Sequence, residues 1–100
     1  MAQTDQGSTP EITKIKPPSK YNVVLLNDDS TPMDFVIQLL VTIFNKTDKI
    51  ANDITLEVHE KGRAIAGTYM FEVSEQKCAE VLAGAKMSGF PLAATVEQAE

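Results

Sequence analysis

The chain has 100 residues and a net charge of −5, with nine Lys and Arg against fourteen Asp and Glu. No basic cluster forms, so nucleic acid and anionic membranes, which attract such patches, are poor partners. The single cysteine excludes an internal disulfide, and no run of eighteen apolar residues is present to span a membrane.

The first twenty residues hold three of the five prolines (Pro10, Pro17 and Pro18) among Gln, Ser, Thr and Lys. Such a segment buries too little apolar surface to offset its ordering entropy. It is therefore expected as a flexible N-terminal extension, residues 1–20, ahead of one core domain, residues 21–97. It also lacks the basic-then-apolar pattern of a secretory signal, so the expected location is cytoplasmic.

Tyr21 to Leu26 is short, apolar and valine-containing, the pattern of a strand. Asn27 to Ser30 is a turn of residues whose short polar side chains bond their own backbone. Thr31 is expected as the N-cap of a helix reaching about Phe44. Pro32 would take its first position, and Asp34 nearly completes a capping box. Met33, Val36, Ile37, Leu40 and Phe44 form one apolar stripe and Phe35, Leu39 and Ile43 a second, so this helix should be central to the core. Thr47 or Asp48 caps a second helix through about Glu60, with Ile50, Ala51, Ile54 and Val58 on its buried face. Gly62 is placed to end it in a left-handed conformation.

Ala64 to Phe71 reads as a strand weakened by Gly67. Ser74 is expected to cap a third helix, whose Cys78, Val81, Leu82 and Ala85 repeat at helical spacing until Gly89 stops it. Cys78 lies on that stripe, as a small buried apolar residue rather than a nucleophile. Leu92 to Val96 is a last short strand. The order β-α-α-β-α-β predicts an α+β domain: a small, three-stranded, mainly antiparallel sheet covered by three helices.

The run Asn27-Asp28-Asp29 is where chemistry concentrates. One reading is structural, an Asx-rich turn that ends a strand and feeds a helix. The other is functional, because three acceptor-bearing side chains exceed what a turn requires and an ammonium group needs three acceptors. His59, the only histidine, either interacts with a helix C-terminus or joins Asn27 and Asp29 at a ligand amine. Thr55 lies one turn before His59 and shares its face. A metal at Asp28, Asp29 and His59 is disfavoured, since calcium takes more oxygens and zinc more His or Cys. No nucleophile–base pair or phosphate loop is evident, so neither catalysis nor a cofactor is expected. Met33 and Val36 are core residues by default, but beside an acidic turn they can instead shape an apolar recess.

The run Leu26-Asn27-Asp28-Asp29-Ser30-Thr31-Pro32-Met33-Asp34-Phe35-Val36 resembles the signature of the ClpS family, adaptors of the bacterial Clp protease. Pro17-Pro18, Tyr21, Val58-His59 with Gly62, Ala64-Ile65, Glu72-Val73 through Lys77, and Pro91-Leu92 extend the resemblance over about Pro17 to Val96. It implies a monomeric, non-catalytic adaptor. Such an adaptor recognises proteins beginning with Leu, Phe, Tyr or Trp (N-degrons) and delivers them to an AAA+ Clp unfoldase. By the same resemblance, Asn27, Asp29 and His59 would hold the substrate α-amino group, with Asp28 adding negative field. Leu25, Met33, Val36, Val58 and Leu92 would line the side-chain pocket, with Thr31 at its edge. Glu72 and Lys77 would dock on the unfoldase N-terminal domain, and the extension would be offered to the unfoldase at handover. Thr55 departs from the family, which usually has methionine there, and Ser30 replaces a common tyrosine. The rival is a non-enzymatic interaction domain of the translation apparatus with a similar fold, which would need no amine site.

Overall fold

The computed structural model describes residues 19–99. Most of the expected extension lies outside the described residues, but Lys20, assigned to it, already belongs to the first strand. The elements are β1 (Lys20–Leu26), α1 (Met33–Thr42), α2 (Asp48–Lys61), β2 (Arg63–Met70), α3 (Phe71–Met87) and β3 (Ala93–Gln98). This is the expected β-α-α-β-α-β order. The sheet runs β2-β1-β3, and β1 pairs antiparallel with both neighbours. All pairing in it is therefore antiparallel.

β1 is the middle strand because its residues are apolar enough to be covered on both faces. Val23, Val24 and Leu25 are fully buried. Val23 and Leu25 join the core formed with Val36, Leu39 and Leu40 of α1, Ala51 and Val58 of α2, Ala64 and Ala66 of β2, and Cys78, Val81 and Ala85 of α3. Phe35, Ile37 and Ile43, the other apolar positions of the first helix, pack partly buried against this cluster. The register between β1 and β2 shifts by a bulge at Val23/Val24, opposite Ala66.

Several boundaries differ from the sequence reading, each for a local reason. Thr31 is not the cap of α1: Pro32 holds that position without a side-chain bond, and the Thr31 hydroxyl turns back to Asp28. The helix closes at Thr42 with Ile43 as its C-cap, and Asn45 takes a φ of 57°, which breaks the helix before Lys46. Thr47 does cap α2, its hydroxyl accepting from the Ile50 N–H, and Gly62 is left-handed at φ 88°. Ile50 is exposed rather than buried, as is Leu82, because each stripe exceeds the width of the face that meets the sheet.

The largest misreading concerns Ser74 and Phe71. Phe71 is the first residue of α3, not the last of a strand, and Ser74 sits a turn inside the helix with no exposed surface. Its hydroxyl donates to the Tyr21 carbonyl at 2.9 Å, with the Tyr69 carbonyl at 3.3 Å. A serine read as a cap is thus a rivet between α3 and two strands. Ser74→Ala would strand buried carbonyl acceptors, so it should lose about 1–3 kcal/mol in urea unfolding. An unchanged midpoint would show that the rivet contributes nothing.

Candidate functional site

Where β1 ends, the chain must turn, and the turn is built on Asp28. Its Oδ1 accepts from the Ser30 and Thr31 N–H groups at 2.7 and 2.8 Å, and its Oδ2 accepts from the Thr31 hydroxyl at 2.7 Å. Burial pushes the Asp28 carboxyl upward, but these three donors outweigh it and hold the group below the ordinary carboxylate value. Asp28 therefore satisfies the structural reading of the acidic run. Among the described residues, the Asn27 amide and the Asp29 carboxylate meet no protein partner, leaving their acceptors available. The Asn27 backbone is fixed differently, its N–H donating to the Gly62 carbonyl at 3.0 Å.

These residues border a cavity of about 170 Å³ at the end of the central strand. It is larger than the roughly 30 Å³ of one water and smaller than the roughly 300–1,000 Å³ of drug-sized sites. That range suits a single side chain. Asn27, Asp28, Asp29 and His59 supply its polar wall. Met33 and Val36 come from the start of α1, Thr55 and Val58 from α2, and Leu92 from the approach to β3. Thr31 is at the edge. All of the candidate amine-site residues, and the recess residues except Leu25, are therefore brought together.

Leu25 does not line the cavity. It is fully buried in the core, and Leu26 takes the wall position. Leu26 begins the quoted signature but is not among the expected recess residues.

Three side chains tune the cavity. Met33 is 38 % exposed and stands on the rim, whereas Val36 is buried at its wall. Thr55 is 2 % exposed, and its hydroxyl donates to the Ala51 carbonyl at 2.8 Å. With its proton so directed, Thr55 has only acceptor lone pairs left. His59 lies in the exposed last turn of α2.

The two candidate docking residues lie elsewhere, on α3. Glu72 is exposed in its first turn, beside a groove formed with Tyr21, Met70, Phe71 and Val73. Lys77 is half-buried: its ammonium donates to the Ile43 carbonyl at 2.8 Å, below α1, and lies 5.9 and 5.3 Å from the ring centres of Phe44 and Tyr69. No group of three or more His, Cys, Asp or Glu able to hold a metal occurs among the described residues, and no helix there is long and apolar enough to cross a membrane.

The role of Asp28 is measurable by pH. Its carboxyl is depressed in the folded state, so its stabilisation is complete above the unfolded value near 3.8 and disappears as pH falls through the folded value. The stability gap between the protein and Asp28→Ala in urea titrations should be flat near neutrality and narrow below about pH 4. A gap independent of pH down to acid unfolding would remove this role.

Known proteins share this sequence and this fold. Residues 16–95 match the family model described as ATP-dependent Clp protease adaptor protein ClpS. A relative from Vibrio atlanticus, an ATP-dependent Clp protease adapter protein ClpS, is 50 % identical over 88 residues, 88 % of this chain and 83 % of its own. The protein of that name from Treponema denticola is 46 % identical over 81 residues, 81 % of this chain and 80 % of its own. The solved structure of Agrobacterium tumefaciens ClpS2 bound to L-phenylalaninamide superposes with a TM-score of 0.81 at 32 % identity, covering 83 % of this chain and all of that one.

Proposed function

Because the chain belongs to the ClpS family of ATP-dependent Clp protease adaptors, which are not enzymes, we propose that its cavity captures the first residue of proteins beginning with Leu, Phe, Tyr or Trp for delivery to a Clp AAA+ unfoldase. The observation that carries this reading is that Asn27 and Asp29, whose acceptors meet no protein partner among the described residues, line one cavity with His59 and with Met33, Val36, Val58 and Leu92. The α-amine is cationic near neutral pH, with an ordinary value of about 7.7–8.0. Its three N–H donors meet these acceptors while the side chain enters between Met33, Val36, Val58 and Leu92. The phenylalaninamide of the Agrobacterium structure has this chemistry, a free α-amine beside an apolar side chain, which supports the reading.

Discrimination follows from what is left unpaired. Acetylation removes the charge and two donors, so acceptors desolvated by the peptide stay unsatisfied. A β-branched first residue is widest at its Cβ, where Met33 narrows the rim. The partner is the N-terminal domain of the unfoldase, reached through the α3 surface that carries Glu72, in the cytoplasm and as a monomer. The 1–20 segment is the part offered at handover. The core domain, residues 21–97, holds both surfaces.

The first test is fluorescence anisotropy with matched peptides beginning Leu, Phe, Trp, Val or acetyl-Leu. Leu, Phe and Trp peptides should bind, and acetylation should abolish binding. Asn27→Ala should weaken it about tenfold to a hundredfold, the value of a hydrogen bond to a charged group. Affinity should also fall as pH rises past about 8, where the amine loses its proton. Equal or absent binding across the set would end the N-degron reading.

Two variants address the specificity of the recess. Met33→Ala should admit Val and Ile, and persistence of their exclusion would refute a gate at Met33. Thr55→Met should fill the deep wall and remove the spare acceptor, re-ranking Leu, Phe, Tyr and Trp. Unchanged relative affinities would make Thr55 peripheral.

A further inference from the structure

Two halves of the candidate amine site come from distant parts of the chain. Asn27 and Asp29 follow β1, whereas His59 rides on the last turn of α2. One residue touches both halves without lining the cavity. The Gly62 N–H donates to the carbonyl of Val58, the residue before His59, at 2.9 Å, and the Gly62 carbonyl accepts from the Asn27 N–H at 3.0 Å. Both bonds depend on the direction of two successive peptide groups, and that direction is set by the left-handed backbone of Gly62, φ 88° and ψ −14°. The next residue, Arg63, pairs with Leu26 on the last rung of the β1–β2 ladder, so the tie extends the sheet by one bond into the site.

We propose that Gly62 is a positioning residue that sets the spacing of Asn27 and His59, and thereby the affinity for the substrate α-amine. The inference rests on the amine-binding reading above. Its physical basis is separable from packing, because a Cβ added at Gly62 would meet no heavy atom within 4 Å. A substitution there changes the backbone preference and fills no space. An L-residue with a Cβ disfavours this conformation, strongly so when β-branched, whereas asparagine tolerates it. When the backbone relaxes toward negative φ, the carbonyl of residue 62 swings away from Asn27 and the α2 cap opens. The two halves of the site then lose their common anchor. Of the recess residues that receive the side chain, Met33, Val36 and Leu92 lie outside this turn, and Val58 meets it through its backbone carbonyl alone.

The affected term is therefore the amine and not the side chain. Gly62→Ala and Gly62→Val should weaken peptides beginning Leu, Phe and Trp by the same factor, about tenfold or more for valine and less for alanine, with their ranking unchanged. Gly62→Asn should stay within about twofold of the original protein. Titrations are made at a temperature where circular dichroism shows each variant folded. There, a merely structural role shifts the melting midpoint but leaves affinity alone. Hydrogen exchange of the Asn27 amide, read by NMR, should accelerate in Gly62→Ala and not in Gly62→Asn. If Gly62→Val does not fold, the alanine and asparagine pair decides the same question.

Original affinity in folded Gly62→Ala and Gly62→Val would overturn the proposal. So would a loss confined to one first residue, or an asparagine variant as weak as alanine. Failure of the unsubstituted protein to prefer free over acetylated peptides would instead defeat the amine-binding reading itself. The two failures are thus told apart by the protein in which they occur.

Discussion

Val23, Val24 and Leu25 are consecutive and have no exposed surface, which obliges a sheet of only three strands to be covered on both sides. The helices cover the face of Val23 and Leu25. Val24 points the other way, and its cover comes from the sheet's own side chains. Ile65 and Thr95 flank it on β2 and β3. Arg63 and Glu97, each two positions removed along the ladders, pair across β1. An exposed ion pair of this kind contributes little by charge alone. Its value here is that the apolar stems lie over the central strand. With β1 secured on both faces, its C-terminal end becomes a fixed platform, and the cavity is built where that platform stops.

The acidic turn divides its labour among neighbouring residues. Asp28 spends both carboxylate oxygens on Ser30 and Thr31, holding the loop's shape. That leaves the Asn27 and Asp29 side chains without a protein partner among the described residues, on a loop whose shape is already fixed. A site preorganised in this way need not reorganise its own polar groups when a cation arrives, which lowers the cost of binding. The structural reading of the run thus falls on Asp28, and the proposed binding role on its neighbours Asn27 and Asp29.

Much of this was legible in the sequence because the signals were local. Proline at position 32, glycines at 62 and 89, Thr47 before an apolar stripe, and the valine-rich β1 each act through their own backbone or nearest turn. The misreadings share the opposite property. Ser74 resembles a cap in one dimension, but its partners, Tyr21 and Tyr69, are supplied by tertiary packing. Leu25 was expected in the wall, but packing draws it into the core and its neighbour Leu26 lines the cavity instead. Ile50 and Leu82 continued apolar stripes beyond the faces that the sheet could cover. Lys77, which the resemblance gives to the unfoldase contact, has its ammonium engaged by the Ile43 carbonyl just past the end of α1 and by two aromatic rings. Any partner contact it makes must share a charge already placed by the fold.

The strand order has a consequence for how the molecule can be held. Because β3 returns antiparallel beside β1, the Ala99 N–H bonds the Lys20 carbonyl at 2.8 Å and the Gln98 amide donates to the Ser19 hydroxyl at 2.9 Å. Residues 19 and 99 therefore leave the domain side by side. The cavity is at the other end of β1, seven residues or about 20 Å away. The described domain thus has its paired strand ends at one pole and its recess at the other. A dye or surface attached at position 19 or 99 starts from the end of β1 opposite the recess.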